Sequence, residues 1–215
     1  MAYPAQLGDI QARIGARLQD RTFQSIPLAD VTDIINQSLA YYKYKRFWFN
    51  EAVTTITLNQ GDPLVPNIPA DFLEELPNGG LVIHYSTVHY LIEKRSSFIF
   101  DGEDVQGVGL PYIYCFRNGS FYLYFYPNIA YSLIFRYLRD YQPFANVTDT
   151  NDFLTYADRM IEYNALSRIY SEYKQDATME QYYTARADDE ERNLRRRSSA
   201  LTGTGTLTLQ SYLIS

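Results

Sequence analysis

The sequence predicts an α+β protein: a helical bundle from N- and C-terminal helices, an inserted antiparallel β region and an extended C-terminal arm. Three observations predict it. Apolar residues recur at helical spacing over residues 1–50 and again after residue 150. Between them lie short runs of β-branched and aromatic residues, punctuated by Gly, Pro and Asn. Beyond Ser198 the chain carries Gly203 and Gly205 within a Leu-Thr alternation that suits no helix. The expected layout is N-terminal helices over 1–50, a β domain over 51–145, C-terminal helices over 146–197 and the arm over 198–215.

Leu7, Ile10, Ile14 and Leu18 predict an amphipathic helix over 6–20. Val31, Ile34, Ile35, Leu39 and Tyr42 predict a second over 28–44, with Pro27 just before it. That helix runs into an aromatic and basic cluster containing Tyr41, Tyr42, Trp48 and Phe49, expected to pack domains or subunits together. Strands are expected over 52–58, 81–86 and 131–137. A hairpin joins Tyr112–Phe116 to Phe121–Tyr126 through Asn118-Gly119, two residues that accept positive φ. Residues 98–110 are acidic and Gly-rich and read as a loop. Thr150-Asn151-Asp152 offers N-cap chemistry. Ala157, Ile161, Ala165 and Ile169 mark one face of the following helix, and Tyr163, Leu166, Tyr170 and Tyr173 another. An apolar girth this wide predicts a helix packed on several sides. A last helix is expected over 178–197, with Asp188–Arg192 and Glu191–Arg195 spaced for ion pairs.

Composition narrows the function. The chain has 21 tyrosines, two histidines and one cysteine among 215 residues. Tyrosine supplies stiff contact area with a polar tip, whereas histidine and cysteine carry much of enzyme chemistry. This balance favours a protein that fits against other proteins, with no enzyme activity and no cofactor. A net charge of -6 argues against nucleic-acid wrapping. Met1–Pro4 does not read as a secretory signal, and no run approaches the ~20 apolar residues of a membrane helix, so no membrane partner is expected. The lone Cys115 permits no intrachain disulfide and points to assembly in the cytosol.

The order of parts resembles the head-to-tail adaptor proteins of tailed phages, of the head-completion or tail tubular A type. The resemblance is carried by four pieces. Asn67-Ile68-Pro69-Ala70-Asp71-Phe72 is similar to that family's Leu-Pro-x-Asp-Phe segment. Phe121–Pro127 is similar to its short strand ending in Tyr-Pro. Arg136-Tyr137 and Thr150-Asn151-Asp152-Phe153-Leu154 match its later strand and helix start. The resemblance implies a virion protein at the head–tail interface, assembled in the host cytoplasm. It implies a ring, commonly of about twelve copies, between the portal protein and the tail or nozzle proteins, with DNA passing through without specific binding.

Individual constellations leave alternatives open. Leu207, Leu209, Tyr212, Leu213 and Ile214 are the expected portal-binding residues of the arm. Arg192, Arg195, Arg196 and Arg197 are either a docking foot for an acidic partner or cations that complement a helix C-terminus. His84 and His89, five apart, are expected on opposite faces of one strand and so not as a metal pair. Glu74-Glu75 and the acids of 101–104 are candidates for glycoside hydrolysis. The aromatic hairpin suits an ordinary core, a subunit contact or a sugar platform, so a tail or baseplate carbohydrate-binding module is the main alternative function.

Overall fold

A computed structural model describes residues 5–77, 80–96 and 107–202. The chain divides into two compact units, Glu51–Asp140 and the remainder, Met1–Asn50 with Tyr141–Ser215.

The first unit is helical. Helix α1 spans Leu7–Arg17 and α2 spans Leu28–Tyr42. At the start of α1 the Asp9 carboxylate accepts the Gln6 N–H at 2.9 Å, and the N–H groups of Leu7 and Gly8 donate to the carbonyls of Asp149 and Val147. Donors that no helix can satisfy internally are thus met by a distant loop of the same unit. The α2 stripe is buried as its spacing predicts, at Val31, Ile34, Ile35, Leu39 and Tyr42. Asn151 caps the short helix α3, Asp152–Tyr156, by accepting the Leu154 N–H at 3.1 Å. Ala157 leaves the helical region at φ -136°, which separates α3 from α4, Asp158–Ile169. A π-turn, Tyr170–Lys174, follows, and Gln175 closes it at φ 50°. Asp176 then accepts the N–H groups of Thr178 and Met179 at the start of α5, Ala177–Thr202.

Helix α4 packs against α1, α2 and α5. Its buried residues Met160, Ile161, Ala165, Leu166 and Ile169 account for the wide apolar girth.

Helix α5 corrects the expected arm boundary. It runs through Ser198 to Thr202, because Ser198 is buried and accepts the Trp48 N–H at 3.1 Å. No glycine or proline lies between Ala177 and Thr202 to interrupt the helix. Leu207, Leu209, Tyr212, Leu213 and Ile214 lie outside the described residues.

The second unit is β. Its main sheet contains β1 (Glu51–Leu58), β2 (Phe72–Glu75), β3 (Leu81–Tyr85), β4 (Val88–Leu91) and, at the centre, the long strand of Tyr131–Arg139. That central strand pairs with β1 on one side and with β3 and β2, end to end, on the other. All these pairings are antiparallel. Between β4 and the central strand come β5 (Glu93–Lys94), β6 (Val108–Gly109), β7 (Ile113–Arg117), β8 (Ser120–Leu123) and β9 (Tyr126–Pro127), which makes the central strand β10.

The hairpin β7–β8 turns at Asn118 (φ 49°) and Gly119 (φ 74°), as the Asn-Gly pair predicts. The main sheet and the hairpin are antiparallel as expected, and two short parallel pairs, β5 with β7 and β6 with β9, accompany them. The expected loop over 98–110 contains β6 at its end, and its residues 98–106 lie outside the described ones. Ile56, Leu58, Leu81, Ile83, Leu133 and Phe135 from the main sheet share one core with Tyr114, Phe121 and Leu123 from the hairpin. The β unit ends at Asp140, short of the expected 145. Tyr141 instead donates its hydroxyl to Asp152, and Phe144 exchanges two hydrogen bonds with the Asn36 side chain.

Candidate interaction surfaces

The segment after α2 is shaped by Asn50. Its fully buried amide accepts the Phe47 N–H at 2.9 Å and donates to the Lys45 carbonyl at 2.8 Å. This clamp sets the positions of the aromatic cluster. Tyr42 and Phe49 are buried, Trp48 is half-buried, and Tyr41 is 51% exposed. Trp48 meets Phe49 and Tyr156 edge-on, with the Arg197 guanidinium 4.6 Å above its ring. Lys45 lies 4.2 Å from the Tyr41 ring centre and donates to Glu191 at 2.6 Å. Burial of the Tyr42 hydroxyl, with Glu191 nearby, pushes its pKa well above the usual range. Burial alone would raise the Glu191 carboxyl, but Lys45 and Arg195 hold it below its ordinary value. Tyr41 and Tyr44 are exposed beside these buried and paired groups.

The arginines near the end of α5 divide. Arg192 pairs with Asp189, Arg195 pairs with Glu191 at 2.7 Å, and Arg197 covers Trp48. Of the two predicted ion pairs, Glu191–Arg195 forms, while Arg192 takes Asp189 and a carbonyl of Asp188. Arg196 stands beside Arg186, Asp189 and Glu190 in a shallow polar depression. Charge there is mixed, so the patch as a whole is not a cationic one.

In the β unit, Pro69, Asp71 and Phe72 have plain structural work. Phe72 N–H donates to the Pro69 carbonyl at 3.0 Å, and its ring meets Phe116, Phe121, Phe135 and Tyr137. Asp71 accepts the Tyr137 hydroxyl at 2.9 Å; burial and this carboxylate push the Tyr137 pKa up to about 12. Glu75 accepts the Tyr114 hydroxyl at 2.6 Å and pairs with Lys94, so it is tied into the fold. Burial, reinforced by Glu75, raises Tyr114 far above an ordinary phenol. The acids of 101–104 lie outside the described residues, and no carboxylate pair with Glu75 is described.

Sequence reasoning missed β4. All its residues are exposed, including Val88, Tyr90 and Leu91. It also missed a cross-sheet row, Thr55–Ile134–Val82–Leu91, on the face away from the core. Leu91 there is 59% exposed, and neighbouring Val53 is 64% exposed. Apolar residues on an outward sheet face suit contact with another protein. The expected placement of the histidines is corrected too. A turn at Ser86 and Thr87 puts His84 on β3 and His89 on β4, directly opposite each other, so both face the same way.

Residues 5–208 match the family model described as SU10 adaptor protein. The chain belongs to the SU10 adaptor protein family. The match covers every segment that carried the phage-adaptor resemblance. SU10 adaptors are structural phage proteins, components of the virion that work with other head and tail proteins. No match was found among curated proteins. Among the described residues, no helix is long and apolar enough to cross a membrane, and no group of three or more His, Cys, Asp or Glu could hold a metal ion.

Proposed function

We propose that this adaptor forms a closed ring between the portal of a filled head and the tail. DNA passes through its lumen without specific binding, and the ring assembles in the host cytoplasm. The observation that supports this most is the family match over nearly the whole chain. Rings need heterologous contacts that close, in about twelve copies if the portal sets the number. The exposed aromatics Tyr41 and Tyr44 and the outward sheet row with Leu91 supply area of the kind found in protein interfaces. The segments before and after the β region contribute to one helical bundle, and the 51–140 region is its inserted β domain. Tyr41, Tyr42, Trp48 and Phe49 set the bundle's packing against domain or subunit neighbours. The C-terminal residues Leu207, Leu209, Tyr212, Leu213 and Ile214 reach the portal, and Arg196 is the member of the arginine group best placed to meet an acidic partner.

The test is assembly on the portal. Purified protein is mixed with portal protein and its mass followed by light scattering, with cryo-EM of the product. A portal-bound ring of fixed symmetry is expected. Protein that never joins the portal would falsify this reading, and glycan binding in its place would favour the carbohydrate-binding module. A chain ending at Thr202 is expected to melt like the full chain but fail to join. If it joins normally, the arm has no part in docking.

A further inference from the structure

His84 and His89 are the only histidines of the chain, and the β3–β4 hairpin sets them side by side. Ile83 is fully buried, so strand alternation turns His84, with its cross-strand partner, to the outer face. Both side chains are exposed. Their rings stack with centroids 4.8 Å apart and planes 23° apart. Neither imidazole has a hydrogen-bond or ion-pair partner among the described residues. Directly opposed residues on antiparallel strands hold their Cβ atoms about 4.5–5.5 Å apart. Neutral imidazole binds Zn²⁺ at about 2.0–2.1 Å through either nitrogen. Modest rotations of two exposed rings this close bring one nitrogen of each onto a single ion. Ser132 and Thr57 continue the same row across β10 and β1, so ligand water there would face hydroxyl groups.

We propose that His84 and His89 form a two-point chelate for a borderline divalent transition metal such as Zn²⁺, Ni²⁺ or Cu²⁺, with water completing the shell. Imidazole selects these ions over Mg²⁺ and Ca²⁺, which prefer oxygen ligands. The ion would tie β4, which pairs only with β3 among the described strands, to the body of the sheet.

The experiment uses the full chain without a histidine tag. Titration with ZnCl₂ by calorimetry is expected to give one ion per chain, and the proton NMR signals of both imidazoles should shift at that same stoichiometry. His84→Ala and His89→Ala should each weaken binding at least tenfold; both sites are exposed, and circular dichroism checks that the fold is kept. A double variant, Val88→His with His89→Val, keeps two imidazoles in the hairpin but moves one to the opposite face. It should bind as weakly as the single variants. Zinc should raise the Tm of the wild-type chain and leave that of all three variants unchanged. No saturable binding by the wild type, equal binding of MgCl₂, or variants within twofold of the wild type would each overturn the proposal.

Discussion

Short polar side chains at turns hold much of this fold's local geometry. Asn50 and Asn151 each bind backbone groups that would otherwise lack partners, and Asp20 does the same between α1 and α2. Its carboxylate accepts the Ser25 hydroxyl, the Ser25 N–H at 2.8 Å and the Gln24 N–H at 2.9 Å. These donors, the Ser25 hydroxyl foremost, hold the Asp20 pKa down to about 2. The folded value lies below the ~3.9 of an unfolded aspartate. The contribution to stability is therefore complete above about pH 4 and lost as pH falls toward 2. An NMR titration should place the Asp20 midpoint near 2; a midpoint near 3.9 would mean the loop does not hold the carboxylate. This role was not legible in the sequence, because Asp20 and Ser25 form no helical or strand pattern. Asn151 was legible, since Thr-Asn-Asp before an apolar run is a cap signal whatever surrounds it.

Among the elements, α4 is the one on which the helical unit turns. Its Glu162 is 1% exposed and meets Arg13 at 2.8 Å and Arg17 at 2.5 Å. Arg13 also reaches Asp158 at 2.8 Å. Glu162→Ala removes a buried anion from between two cations of α1 that are 39% and 41% exposed and can turn to water, and is expected to cost about 2 kcal/mol. Chemical denaturation measures it, and a loss under about 1 kcal/mol would place the pairing in solvent. The core faces of α1, α2 and α4 could be read from residue spacing, because burial on one or more sides imposes a 3.6-residue period. Three other features could not. Strand β4 is exposed throughout, so burial gives it no alternation. The break at Ala157 occurs at a good helix former. The extension of α5 to Thr202 depends on Ser198 meeting Trp48, a contact between residues 150 apart in the chain. The histidine pair failed for a related reason: a two-residue turn at Ser86 and Thr87 reverses what five-residue spacing means on a straight strand.

The net charge is -6, and three of the four arginines near the end of α5 are engaged by groups of their own chain. Affinity for duplex DNA at physiological salt should be weaker than the ~10⁻⁴–10⁻⁶ M of ordinary non-specific binders. Fluorescence anisotropy with labelled duplex tests this, and tight binding with a steep salt slope would contradict a passive channel. The alternation of helical and strand patterns along the chain was enough to read the α+β class. It could not show that the chain leaves the β unit beside where it entered, with Glu51 paired to Leu138. That feature has a consequence during synthesis. A ribosome adds about 5–20 residues per second, so the apolar faces of α1 and α2 wait several seconds for α4 to emerge, while the contiguous β unit can fold at once. Nascent chains arrested with residue 140 clear of the exit tunnel should therefore contain protease-resistant strands beside protease-sensitive helices, a state in which chaperones have a defined target at the amino end.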